Sequence, residues 1–146
     1  MELKIFTTAT LFGLLLLPLT HAQVTMRGNI PFNFQVGETA LPAGEYVIQQ
    51  AGTSRMLTMR NLDRETGAIM YVVPQSLQAE SARNTRLVFH RYGGTYFLSQ
   101  VWQGRGQNGD ALPQSKAERV TARQRTALPI PHDMELASVT FDAFTR

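Results

Sequence analysis

Two adjacent glycines between two β-rich runs constrain this chain more than any other feature. In LVFHRYGGTYFLSQVW (residues 87–102), Gly93 and Gly94 separate segments rich in β-branched and aromatic residues. A two-residue loop with positive φ at both positions, a type I′ turn, matches the right-handed twist of the strands it joins, and glycine reaches that conformation without steric penalty. Counting outward from the turn pairs Tyr92 with Thr95, Arg91 with Tyr96, His90 with Phe97 and Phe89 with Leu98. His90 then lies on the face opposite Phe89 and Leu98, among Val88, Tyr92, Phe97 and Ser99. A histidine so placed is expected to be partly buried and to donate to a backbone carbonyl or a hydroxyl. Arg91 beside Tyr96 reads as a cross-strand cation–π or stacking pair.

The same period of two recurs elsewhere. In NIPFNFQVG, Ile30, Phe32, Phe34 and Val36 share one face of a half-buried strand while Asn33 and Gln35 share the other. LPAG, with Pro42 second and Gly44 fourth, suits a type I turn, and EYVIQQ (residues 45–50) resumes as a strand, so these segments predict a first hairpin. Residues 55–60 read as a third strand, NLDRETG as a polar turn and AIMYVV (residues 68–73) as a fourth strand. That fourth segment is apolar on both faces, which predicts a central place in its sheet, and Pro74 is expected to end it. The polar residues 75–84 read as a long connection. The expected fold is therefore mainly β: an antiparallel barrel or sandwich of about six to eight strands.

One helix is expected, in the C-terminal half. SKAE (residues 115–118) fits a capping box with Ser115 as N-cap and Glu118 reaching back to it from the third helical position. Lys116, Arg119 and Arg123 recur at helical spacing as a basic face, extended by Arg125, while Ala117 and Val120 offer a thin apolar one. Such a face is either simply solvated or attracted to an anionic polymer or membrane surface. After Pro129 and Pro131 alternation returns at Val139 and Phe141, so residues 127–146 form a last edge strand or a tail.

The N-terminus is expected to be removed. Lys4 precedes an apolar run broken at Pro18, and Thr20-His21-Ala22 places small residues at the −3 and −1 positions of a signal-peptidase site. Residues 1–22 thus read as a signal peptide and residues 23–126 as a single β-rich domain, exported to the periplasm or the medium. No later apolar run reaches the roughly 18 residues of a membrane helix, so no transmembrane segment is expected in the mature chain. The alternating segments also look too few and too short for the eight strands of the smallest outer-membrane barrel. The chain has no cysteine, which excludes both an acylated lipoprotein and a disulfide-stapled scaffold. The formal net charge of +3 is too mild to imply nucleic acid.

Signatures of catalysis are missing from the sequence. Outside the leader there are two histidines, His90 and His132, with no H-x-H or H-E-x-x-H spacing, so neither a metal nor any other cofactor is expected. No G-x-S-x-G elbow occurs. GRGQNG (residues 104–109) matches G-x-G-x-x-G literally, but DALP follows it where a dinucleotide fold needs a helix, so it reads as a flexible loop.

Three blocks in order, IPFNFQVGETALPAGEYVIQ (residues 30–49), LVFHRYGGTYFLSQVW and LPQSKAERV (residues 112–120), resemble a family of small exported β-rich proteins of unassigned function common in acidobacteria. The resemblance covers most of residues 30–120 and implies fold and export, with no activity, ligand or catalytic residue.

Two functional classes follow from these observations. The first is an exported non-catalytic binding or structural module of the cell envelope, contacting an envelope polymer, a glycan or a copy of itself. The second is a small-ligand carrier or enzyme with a site inside the barrel near His90, where His90, Arg91 and Tyr96 would be the ligand contacts. A cavity of at least ~300 Å³ onto which these three side chains converge would favour the second class.

Overall fold

The computed structural model describes residues 24–51, 55–76, 84–104, 108–126 and 134–145. Its elements run β1 (Val24–Ile30), β2 (Phe34–Val36), β3 (Thr39–Leu41), β4 (Gly44–Gln50), β5 (Met56–Asn61), β6 (Gly67–Tyr71), β7 (Val73–Ser76), β8 (Thr85–Tyr92), β9 (Thr95–Gln103), β10 (Asn108–Ala111), α1 (Lys116–Thr126), β11 (Glu135–Thr140) and β12 (Asp142–Thr145). One sheet has the order β12-β1-β4-β5-β6 and the other β11-β8-β9-β10-β7, with the small β2–β3 hairpin attached to β9. The fold is mainly β with one short helix, as the alternation implies. The described strands number twelve, above the expected six to eight, because short segments of three or four residues pair where the sequence shows only turns.

The two sheets share both of their edges. The chain leaves β6 in the first sheet and enters β7 in the second through Val72, which is fully buried and donates its N–H to the Arg55 carbonyl at 2.9 Å. It returns from β11 to β12 through Phe141, also buried, whose N–H goes to the Thr85 carbonyl at 2.9 Å. Strands that bend from one sheet into the next close a sandwich into a flattened barrel and leave little free edge.

The interior is filled. Met26, Tyr46, Ile48, Leu57, Met59 and Met70 from one sheet meet Leu87, Phe89, Leu98 and Val101 from the other, and Phe34, Val36 and Leu41 of the β2–β3 hairpin close one end. Each such side chain contributes roughly 1.5–3 kcal/mol on burial. Aromatic edges lock the end: Phe34 stands edge-on to both Tyr46 and Phe89, with centroids 5.2 and 5.5 Å apart.

Several local expectations change in this context. Ile30, Phe34 and Val36 do face the core, but they do not belong to one strand: the ladder of β1 stops before Pro31, which has no N–H to donate. Consequently β4 pairs with β1, from Thr25↔Gln49 to Ile30↔Gly44, and the local hairpin is β2–β3. The apolar segment expected at the centre of its sheet supplies the edge strand β6 instead. Met70 and Val72 point inward, while Ile69 and Tyr71 are 68% and 53% exposed. Pro74 does not terminate pairing but lies within β7, opposite Asp110, an outer strand where a missing N–H is tolerated. Residues 77–83 of the expected long connection lie outside the described residues.

The number of strands does not argue against a membrane barrel, contrary to expectation. The sidedness of the strands does, since apolar side chains fill the interior while Arg27, Gln49 and Arg60 point outward, the reverse of the membrane arrangement. No helix among the described residues is long and apolar enough to cross a membrane. Of residues 127–146, those described (134–145) form strands at the sheet ends, with β11 beside β8 and β12 beside β1, while residues 127–133 and 146 lie outside the described residues.

Candidate functional site

The hairpin turned by Gly93 and Gly94 holds its counted register: Tyr92↔Thr95, Arg91↔Tyr96, His90↔Phe97 and Phe89↔Leu98. Its turn differs in type. Gly93 has φ +64° but Gly94 does not have positive φ, which is the sign pattern of a type II′ turn rather than I′. Beyond Phe89 a bulge puts Val88 opposite Gln100, and the extra residue, Ser99, donates its hydroxyl to the Val88 carbonyl at 2.9 Å.

The second sheet has two covered faces. Phe89 and Leu98 join the central core, whereas Val88, Tyr92, Phe97 and Trp102 are buried on the outer face. Helix α1 packs over that outer face, against β8. Ala117, Glu118, Thr121, Ala122 and Arg125 are the shielded positions of α1, and they share one side of the helix. Val120, expected on the apolar side, is 44% exposed.

Under the helix lies a polar cluster that contains the one fully sequestered carboxylate of the described residues. Glu118 is 3% exposed, and its Oε1 accepts from His90 Nδ1 at 2.6 Å and from the Tyr92 hydroxyl at 3.2 Å, with Gln114 Nε2 more distant at 3.5 Å. His90 therefore donates to a carboxylate rather than to a backbone carbonyl or hydroxyl, which corrects the expectation from sequence. The carboxylate offers a charge-assisted bond, stronger than any neutral acceptor on that face. Burial raises the Tyr92 hydroxyl above its ordinary pKa, and the neighbouring Glu118 charge adds to the effect.

Only half of the capping box forms. Ser115 Oγ accepts the Glu118 N–H at 3.0 Å, as expected of an N-cap. The Glu118 carboxylate turns into the sheet instead of reaching back to Ser115, and Glu38 of the β2–β3 turn caps other free donors of the first turn, accepting the Lys116 N–H at 2.7 Å and the Ala117 N–H at 3.4 Å. Sequence reasoning missed Glu118 and Tyr92 as partners of His90. A helical wheel carries the signal, because Glu118 shares its side with Ala117, Thr121 and Ala122, away from the basic face.

His90, Arg91 and Tyr96 do not converge. Arg91 and Tyr96 lie on the opposite face of the hairpin from His90, by strand alternation. The expected cation–π pair forms, with the guanidinium carbon 5.6 Å from the Tyr96 ring centroid, while Arg91 also donates to the Gly93 carbonyl at 2.7 Å and to Glu135 at 3.0 Å. Tyr96 stacks on Phe32 with centroids 3.9 Å apart. A shallow groove of about 350 Å³ opens between the β2–β3 hairpin and the hairpin tip, and Tyr96 alone of the three contacts it.

The basic face keeps three of its four members. Lys116, Arg119 and Arg123 are exposed, whereas Arg125 folds onto Gly93 at the hairpin turn. In GRGQNG the last glycine lies in strand β10, where the Trp102 ring covers it, rather than at the start of a helix. Residues 105–107 of that loop, and His132, lie outside the described residues. Among those described, no group of three His, Asp or Glu side chains could hold a metal ion.

Chemically, the His90–Glu118–Tyr92 cluster is a tie between helix and sheet. The carboxylate fixes the imidazole, Phe97 and Leu136 lie opposite His90 on the two neighbouring strands, and the Ser99 hydroxyl donates to the Val88 carbonyl. No protein family, curated protein or solved structure matches the chain.

Proposed function

We propose that the chain is an exported, non-catalytic binding or structural module of the cell envelope. The observation that supports it best is the disposition of the three polar residues of the hairpin. His90 is taken up by Glu118 on one face, Arg91 and Tyr96 are paired on the other, and aliphatic and aromatic side chains fill the space between the sheets. A carrier or enzyme needs a concave site on which polar groups converge. The groove near Tyr96 meets the size threshold but not the convergence. Export rests on the leader-like residues 1–22.

Cell fractionation with native mass spectrometry tests this reading. The expected product begins at Gln23, is found in the periplasm, envelope or medium, and carries no small molecule. Full-length chain retained in the cytoplasm refutes export, and a stoichiometric small molecule released on unfolding establishes the carrier reading instead.

A further inference from the structure

The one acid of α1 is turned inward, and this leaves the outside of the helix uniformly cationic. Glu118 is the only carboxylate in KAERVTARQRT, and it is spent on His90 and Tyr92. Lys116, Arg119 and Arg123 project on the opposite side, all exposed, and among the described residues none of them forms an ion pair. At the C-terminal end of the helix Arg125, on the sheet-facing side, lies over Gly93, and Arg91 donates to the Gly93 carbonyl and to Glu135, so the exposed strip consists of Lys116, Arg119 and Arg123. Glu38, which accepts the Lys116 backbone N–H, is the carboxylate at the helix start.

Apolar side chains accompany this ridge. Val120, between Arg119 and Arg123, is 44% exposed, and Leu136, which pairs with His90 and so lies on the sheet face that α1 covers, is 66% exposed. A hydrated polyanion makes no use of exposed Val and Leu. A bilayer interface does, since it takes apolar side chains at the acyl boundary while its headgroups meet the cations.

We infer that the outer ridge of α1, with the hairpin turn and the start of β11, docks on an anionic lipid surface. This inference rests on the envelope-module reading and gives that module its partner. The helix serves as a rigid platform because the buried Glu118 cluster anchors it to the sheet, so the three exposed cations are presented together. Each cation near an anionic membrane surface contributes roughly fivefold to the partition coefficient, so three contribute roughly a hundredfold.

Co-sedimentation with lipid vesicles tests the inference, using residues 23–146, which hold every described element. Binding is expected to vesicles containing one-third phosphatidylglycerol, to be absent with phosphatidylcholine alone, and to weaken at high salt. Lys116→Gln/Arg119→Gln/Arg123→Gln should lose roughly a hundredfold in partitioning, with an unchanged circular dichroism spectrum because the positions are exposed. Arg119→Lys should bind like wild type. Val120→Ser/Leu136→Ser should weaken vesicle binding several-fold. Equal binding to anionic and neutral vesicles, or equal binding by wild type and the triple variant, overturns the inference. Dextran sulfate binding as tight as vesicle binding and insensitive to Val120→Ser/Leu136→Ser assigns the ridge to a polymer and overturns it as well. Exported protein that ignores the vesicles refutes this inference alone, whereas protein that is not exported refutes the module reading.

Discussion

Removing His90 from beneath α1 should cost more than its modest exposure suggests. Glu118 is nearly inaccessible to water, and His90 Nδ1 at 2.6 Å is its shortest contact. In His90→Phe the carboxylate keeps the Tyr92 hydroxyl at 3.2 Å and a marginal Gln114 contact at 3.5 Å. Leaving a buried carboxylate short of a donor costs its desolvation penalty, more than the roughly 1–3 kcal/mol of a neutral group, and with the Tyr92 bond remaining the expected loss is about 2–4 kcal/mol. Glu118→Met should cost about 2–3 kcal/mol, because it leaves the buried Tyr92 hydroxyl without an acceptor as well as His90, which retains some access to water. The Ser115 cap survives that change, since it is made by the backbone N–H of residue 118. The double variant His90→Phe/Glu118→Met removes the imidazole donor and its acceptor together and leaves only the Tyr92 hydroxyl unpaired, so it should lie within about 1–2 kcal/mol of wild type. The coupling energy from urea unfolding of the four proteins should thus be at least ~2 kcal/mol. In a thermal scan the His90→Phe loss corresponds to roughly 8–16 °C for a domain of this size. If the double variant loses the sum of the two single losses, the pair is not energetically coupled and the account of α1 as an anchored platform fails.

Three further outcomes are expected. Gly93→Val places a β-branched residue at φ +64° and drives its side chain into the Arg125 guanidinium, so it should cost at least ~1–3 kcal/mol and more than His90→Gln, which keeps a donor within reach of Glu118; urea unfolding of both variants checks the order, and the reverse order refutes it. Burial raises the Asp110 carboxyl above its ordinary 3.8, against the bond from Gln103, so the folded state holds this proton more tightly and Asp110 loses stability as pH rises from below 3.8 through its folded value. Asp110→Asn should therefore gain on wild type across that window in pH-dependent melting, and a variant that falls behind as pH rises contradicts the assignment. Gly109→Ala brings a methyl group within 2.5 Å of the Trp102 ring, so the indole must move; a shifted tryptophan emission and a lowered melting temperature are expected, and an unchanged spectrum with wild-type stability rules out the close approach.

The legible part of this protein is the part set by near neighbours along the chain. Gly93-Gly94 sets the pairing of β8 with β9 because a two-residue loop leaves one register open, and Ser115 marks the start of α1 because a cap acts within one turn. Period-two alternation identifies the buried sides of Ile30, Phe34 and Val36, because side-chain direction is a property of the single strand. What lies beside a strand is not such a property. The pairing of β4 with β1, the edge position of β6 and the passage of Val72 and Phe141 between sheets depend on contacts far apart in sequence, which local patterns do not encode. The destination of Glu118 belongs to the same class. A glutamate at the third helical position satisfies a capping box in isolation, and only the packed sheet, which brings His90 and Tyr92 under the helix and Glu38 to its first turn, makes an inward carboxylate the lower-energy choice.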